Sequence, residues 1–165
     1  MNLPNFIYRS ERIGKGGKPF SLLKFRTLKP TRKSFAEPEE YTRFGRFLRK
    51  TKIDEWPQIV NFLKGEMAIF GPRPNFQSDW DITPEHIRDK ILSIKPGLIS
   101  LASLYFHDEE KMLQVMEDKY KNYYTIIQPM KFHLDMFFIE HRCILLNVAL
   151  FWIAIKIIVK SFFNK

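Results

Sequence analysis

Arg49-Lys50-Thr51-Lys52-Ile53-Asp54-Glu55-Trp56-Pro57-Gln58-Ile59-Val60-Asn61-Phe62-Leu63-Lys64-Gly65-Glu66-Met67-Ala68-Ile69-Phe70-Gly71-Pro72-Arg73-Pro74 gathers unlike chemical groups in one short segment. Asp54 and Glu55 are adjacent carboxylates with the cations Arg49, Lys50 and Lys52 on their N-terminal side. Pro57 suits the first turn of a helix, where a missing N–H breaks no bond. Ile59, Val60, Phe62 and Leu63 then predict the apolar face of that helix, and Gly65 its end. Asp54 and Glu55 are thereby expected at a helix N-terminus, where the backbone dipole favours negative charge. Gly71-Pro72-Arg73-Pro74 is a stiff turn that holds one arginine in a fixed place. Asp54 taken alone reads as a capping carboxylate.

Upstream, Phe6 to Ile13 and Phe20 to Arg26 predict two strands around Gly14-Lys15-Gly16-Gly17-Lys18-Pro19, a hairpin with a glycine-rich tip. The glycine spacing matches no nucleotide-binding fingerprint, so the tip reads as a turn. Alternation puts Lys24 and Arg26 on one face of the second strand. Pro30 to Pro38 reads as a polar linker. Glu39 to Lys50 predicts a helix with Tyr41, Phe44, Phe47 and Leu48 on one face and a basic strip of Arg43, Arg46 and Arg49.

Downstream, Asn75 to Ile82 reads as irregular and aromatic. Thr83-Pro84-Glu85 predicts a helix start with Thr83 as cap, and the helix runs to about Ser93. Lys95-Pro96-Gly97-Leu98 is a turn signature. Asp108-Glu109-Glu110 opens a further helix, its acids capping the N-terminus. Tyr120, Tyr123 and Tyr124 precede a helix from Met130. Leu145 to Phe163 is the most hydrophobic stretch, interrupted by Lys156 and Lys160, which share a helix face with Trp152. It reads as a helix lying in a membrane interface, with a buried C-terminal helix as the competing reading. His86, His107, His133 and His141 show no metal-ligand spacing and read as structural or surface residues.

The three blocks of the opening stretch closely resemble the signature of the bacterial sugar transferases, the monotopic phosphoglycosyl transferases. That signature runs Arg-Lys-x-x-Leu-Asp-Glu-Leu-Pro-Gln, then Asn-x-Leu-x-Gly-Glu-Met, then Val-Gly-Pro-Arg-Pro. Ile53, Trp56 and Phe70 are the apolar swaps. Lys24-Phe25-Arg26-Thr27 is similar to the family's Lys-Phe-Arg-Thr-Met, with Leu28 in place of methionine. Lys95-Pro96-Gly97 and Tyr124 to Pro129 match later segments, and Asn147 stands where the family usually carries aspartate. The resemblance runs from Asn5 onward. The family's basic segment and re-entrant apolar helix would precede Met1, so it implies a truncated product, an anchor supplied by a partner, or anchoring by the C-terminal helix alone.

The resemblance implies a mixed α and β (α+β) membrane-associated fold, mostly helical with a small N-terminal β-hairpin. It implies a single catalytic domain over 1–165, with hairpin 6–26, catalytic core 39–104 and C-terminal helices 108–163. The implied reaction moves a sugar-1-phosphate from a nucleoside diphosphate sugar to a polyprenol (undecaprenyl) phosphate. Such a step initiates exopolysaccharide, capsule, O-antigen or glycoprotein glycan synthesis. The resemblance makes Asp54 the nucleophile, with Glu55 either ligating Mg²⁺ or positioning the acceptor. Asp54 and Glu55 are the implied metal ligands, and Arg26, Arg49, Arg73 and Lys24 the phosphate-binding residues. The alternative is an inactive truncated scaffold of the same fold. The expected location is the cytoplasmic face of the bacterial inner membrane.

Composition agrees with that expectation. The 165 residues are one domain's worth, 45% hydrophobic, with sixteen Phe and a net charge of +9. A basic, Phe-rich chain suits an anionic lipid surface or a phosphorylated ligand. No nucleic-acid-binding motif is present, which argues against a nucleic-acid partner. The single Cys143 excludes an internal disulfide and suits a cytosol-facing protein. Met1 to Arg12 carries no signal-peptide pattern.

Overall fold

The computed structural model describes residues 6–28 and 41–163. The expected Pro30–Pro38 linker and the start of the helix read from Glu39 lie outside the described residues. The fold is mostly helical, with the expected antiparallel hairpin at its N-terminal end. Strand β1 (Ile7–Ile13) pairs with β2 (Pro19–Phe25) in the register Arg12↔Phe20 and Tyr8↔Lys24. Alternation turns Ser10 and Leu22 into the protein and Arg9, Glu11 and Ser21 to solvent.

Helix α1 (Arg43–Lys50) begins later than the sequence suggests. Thr42 caps it by accepting the Gly45 N–H at 2.8 Å. Tyr41 is not in the helix; it bridges to Leu28 in extended form. Phe44 and Phe47, expected on a packed face, are exposed, while Leu48 is buried.

Helix α2 (Gln58–Leu63) inverts its expected orientation. Ile59, Val60, Phe62 and Leu63 face outward, with Leu63 76% exposed, whereas Gln58 and Asn61 are buried. The reason is the free edge of β2. Asn61 is 0% exposed. Its Oδ1 accepts the Leu23 N–H at 3.1 Å, and its Nδ2 donates to Ser21 O and Glu66 Oε2, each at 2.7 Å. One side-chain amide thus stands in for a neighbouring strand, and buried backbone groups need such partners. Holding Asn61 inward rotates the apolar residues of α2 outward.

Two short strands, β3 (Ala68–Phe70) and β4 (Gly97–Ile99), form a parallel pair that the sequence reading missed, since it took 95–98 as a turn. Three-residue strands are too short to show a period. The backbones approach so closely here that a Cβ on Gly97 would lie 2.1 Å from the Gly71 N. The Gly71 to Pro74 turn is thereby pressed onto β4.

Asn75 to Ile82, expected to be irregular, contains helix α3 (Gln77–Asp81), started by the Asp79 carboxylate accepting the Phe76 N–H at 3.0 Å. Helix α4 (Glu85–Leu92) follows with Pro84, not Thr83, at the cap. The Thr83 hydroxyl instead donates back to Asp79 O. Helices α5 (Leu101–Tyr105), α6 (Glu109–Gln114) and α7 (Lys119–Asn122) lead through a wide turn at Tyr123–Ile127 into α8 (Gln128–Glu140), which starts before Met130. Helix α9 (Ile144–Phe163) ends the described chain.

Trp80, Ile13, Ile91 and Phe132 form one core cluster, in which the Trp80 and Phe132 rings stack 5.3 Å apart. Phe106, Leu113 and Ile127 form a second. Helix α9 adds little to either. Leu150 and Ala154 are its buried residues, and by length and composition it could cross a membrane. The competing reading of a buried C-terminal helix does not hold.

Candidate active site

Asp54 sits in a tight 3₁₀ turn, Ile53–Glu55, between α1 and α2 rather than on the first turn of a longer helix. The end of α1 builds that turn. The buried Thr51 hydroxyl donates to Phe47 O at 2.8 Å and Leu48 O at 3.1 Å. Lys52 then takes the left-handed backbone conformation, φ 59°, alone among the described non-glycine residues. That conformation disfavours a residue with a Cβ, so surrounding structure must hold it there. The reversal buries Asp54, 4% exposed, and turns Trp56 out to solvent, 61% exposed.

Glu55 is the hub of the site. Its Oε1 accepts from Lys24 Nζ at 3.0 Å and from Arg73 Nη2 at 2.9 Å. Hairpin, turn and Gly71–Pro74 segment are thereby tied to one oxygen. Arg73 Nη1 also donates to Ser103 Oγ at 3.3 Å, so α5 braces the guanidinium. Burial alone would raise Glu55, but Arg73 and then Lys24 outweigh it and hold its carboxyl well below the usual carboxylate range. Arg73 is raised, chiefly by Glu55. Lys24 is lowered by burial, against the pull of Glu55.

Asp54 behaves oppositely. Burial first, and the neighbouring charge of Glu55 second, push its carboxyl up; Lys24, Arg49 and Lys52 pull it down without cancelling the rise. Its Oδ1 is buried with no hydrogen-bond partner. A capping carboxylate would accept a backbone N–H, and no cap bond forms at this turn or at the start of α2. The geometry therefore leaves a basic, water-poor carboxylate oxygen beside a bound cation pair.

The site residues expected from the sequence are not all gathered. Lys24, Asp54, Glu55 and Arg73 lie together. Arg49 acts on Asp54 through its charge, and its guanidinium lies 5.0 Å from the Tyr41 ring centroid. Arg26 follows the end of β2, is exposed, and is not among the contacts that tie Lys24, Glu55 and Arg73. Three further groups were not picked out from sequence. Asp135 of α8 lies buried behind Arg73. Glu109, read as a capping acid, pairs with Lys131 of α8 at 2.5 Å. Arg12 projects from the same hairpin face as Lys24. Strand alternation carries the signal for Arg12; the other two depend on helix packing that no local pattern encodes.

Among the described residues no group of three or more His, Cys, Asp or Glu could hold a metal ion. Mg²⁺ commonly binds through one or two carboxylates plus phosphate oxygens and water. The unpartnered Oδ1 of Asp54 fits that demand, while Glu55 Oε1 is already engaged by two cations.

A family model described as bacterial sugar transferase matches residues 2–161. The chain is 51% identical over 74 residues to a Bacillus subtilis (strain 168) protein named "Putative undecaprenyl-phosphate N-acetylgalactosaminyl 1-phosphate transferase", covering 41% of each. It is 34% identical over 123 residues to the UDP-glucose:undecaprenyl-phosphate glucose-1-phosphate transferase of Escherichia coli (strain K12), covering 68% of this chain and 26% of that one. It is 28% identical over 159 residues to the uncharacterized sugar transferase EpsL of Bacillus subtilis (strain 168), covering 94% of this chain and 70% of that protein. The chain thus spans well under half the length of the first two.

Proposed function

The chain belongs to the bacterial sugar transferase family, and from that premise we propose that it transfers a sugar-1-phosphate from a nucleoside diphosphate sugar to a polyprenol phosphate. The observation that carries the reading is the buried, unbonded Oδ1 of Asp54 beside the Lys24–Glu55–Arg73 cluster. Asp54 attacks the sugar-bearing phosphorus. A carboxylate oxygen–phosphorus bond forms, the bond to the nucleoside monophosphate oxygen breaks, and the nucleotide leaves with that electron pair. The polyprenol phosphate oxygen then attacks the same phosphorus and returns the carboxylate to Asp54.

Burial strips water from Asp54, so its oxygen is more basic than a solvated aspartate. Glu55 holds Lys24 and Arg73 in place, and those cations balance the charge of an incoming diphosphate. Arg49 adds charge from α1. Asp54 Oδ1, with the substrate phosphates, would hold Mg²⁺, which supplies further neutralisation of phosphate charge.

The acceptor is a lipid, and the exposed apolar side chains of α1, α2 and α9 support work at a membrane surface. Phe47 of α1 meets Phe162 of α9 edge to face, with centroids 6.4 Å apart, so those two elements share a side of the molecule. The cytoplasmic leaflet is the reading that suits the basic chain, since anionic lipid attracts Lys and Arg there.

Incubation with labelled UDP-sugar alone tests the nucleophile. Wild type should take up a label that hydroxylamine strips, since acyl phosphates are labile to it. Asp54→Asn should take up none and lose transfer by orders of magnitude while keeping its melting temperature, because Asp54 makes no cap bond in the fold for the substitution to break and its buried charge goes unpaired. Glu55→Gln should keep some label but turn over slowly. Equal labelling of wild type and Asp54→Asn would sink the assignment.

A further inference from the structure

Arg12 is the cation at the opposite end of the hairpin's inward face from Lys24. The register places the two about 13 Å apart along the strands, four residues at about 3.3 Å each. Its guanidinium lies over the Phe76 ring, 3.1 Å from the centroid. Its Nε is buried and has no hydrogen-bond partner. Among the described residues Arg12 makes no ion pair. Asp79 attracts it, but one oxygen of that carboxylate is engaged by the Phe76 N–H.

The Ile13 N–H donates to Asn75 O at 3.1 Å, which lays the strand end carrying Arg12 against the segment carrying Arg73, so the two cations repel. Burial, and then the charge of Arg73, lower Arg12 to about 10. Arg73 has committed two of its five N–H groups, to Glu55 and Ser103, and its side chain is only partly buried. Two neighbouring guanidiniums with unspent donors, one of them held over an aromatic ring, cost the free protein stability. An anion between them reverses the sign of that interaction, because each fork can bind phosphate oxygens through charge-assisted hydrogen bonds.

We infer that Arg12 and Arg73 form a phosphate-binding pair, in which Arg12, seated on Phe76, grips a substrate phosphate from the side away from Lys24. This rests on reading the site as one that handles phosphate-bearing substrates. The phosphate belongs either to the nucleotide or to the lipid carrier, and the chemistry of the pair is the same for both.

Calorimetry with the full chain separates these cases without any turnover. The probes are inorganic pyrophosphate, UDP, and a short water-soluble polyprenyl phosphate. Arg12→Gln should weaken pyrophosphate binding at least tenfold, and Arg12→Lys less. In the absence of ligand, Arg12→Gln should melt no lower than wild type, since it removes a repulsion and an unpaired buried donor. Arg9→Gln, on the solvent face of β1, should change neither. Loss of UDP affinity alone assigns the pair to the nucleotide, and loss of polyprenyl phosphate affinity alone to the lipid. Unchanged affinity for all three probes overturns the inference. A lower melting temperature with a proportionate loss on every probe overturns it too, by making Arg12 a structural residue. If sugar transfer proves absent while Arg12→Gln still loses affinity, the proposed reaction fails and the phosphate pair stands.

Discussion

Asp135 shows how a single residue beyond the reacting groups shapes the site. It lies buried on α8, accepts from Ser100 Oγ at 3.4 Å and from the Arg73 backbone, and so fixes the turn that aims the Arg73 fork. Ser100 in turn caps α5 by accepting the Ser103 N–H at 3.2 Å. Burial pushes the Asp135 carboxyl up to about 7, with Ser100, Lys131 and Arg73 pulling the other way. In the unfolded chain it titrates near 3.9. Between those values the folded chain binds the extra proton. Stability that Asp135 supplies is therefore full below about pH 4 and falls away as pH rises towards 7. Asp135→Asn cannot titrate. Thermal melts from pH 4 to pH 8 should find the two proteins alike at the acid end. The variant should be steadier above, by up to about 4 kcal/mol for three pH units at about 1.4 each. Parallel curves would show that Asp135 stays ionised in the fold. Neutral asparagine should also lower transfer by loosening Arg73, seen in the KM for nucleotide sugar rather than in labelling of Asp54.

At the scale of elements, α2 is where pattern and packing part company. Apolar residues at 59, 60, 62 and 63 describe a helix that could bury either side. Period alone cannot decide which side, because the deciding partner, the β2 edge, lies some forty residues away in sequence. The hairpin itself was legible, since its strands alternate and its turn is glycine-rich; so were α4, by the Pro84-Glu85 start though not by its cap, and α9, by its composition. The parallel pair β3 and β4 was not, being made of contacts between short segments with a backbone approach only glycine allows. In the site, Lys24, Asp54, Glu55 and Arg73 were found by their neighbours in sequence. Arg12, Glu109 and Asp135 join only through tertiary contacts. Asn61→Ala tests the account of α2. It strands the Leu23 N–H and the Ser21 carbonyl, each worth roughly 1–3 kcal/mol when left unpaired. Urea titration should show a loss of about 2–6 kcal/mol by that arithmetic. A loss below about 0.5 kcal/mol, the usual size for a neutral surface change, would mean the amide does not hold the edge.

Among the described residues two small apolar clusters lie inside and a large apolar surface lies outside. Phe44 and Phe47 of α1, Trp56, four residues of α2, and much of α9 face solvent. A monomer in water gains nothing from that arrangement, whereas a lipid interface removes each such side chain from water. The surface therefore makes a claim that stability and binding measurements can separate. Leu63→Ser and Ile59→Ser alter side chains that touch little within the protein, so each should move stability by no more than about 0.5 kcal/mol. On vesicles each should lose about 1.5–3 kcal/mol of transfer energy, a drop in partition of roughly tenfold or more. Lys156 and Lys160 contribute through charge. Changing both to Gln should weaken binding to anionic vesicles by about 1 kcal/mol per lysine. Binding to neutral vesicles should not change, and added salt should erase the difference. Flotation of the two single variants and the double lysine variant, each beside its melting curve, reads both effects. If Leu63→Ser lowers the melting temperature, or depends on protein concentration rather than lipid, the face is covered by protein and not by a bilayer. If none of the variants changes flotation, α2 and the lysines of α9 do not set membrane contact, and the proposed acceptor lipid must reach Asp54 from another side.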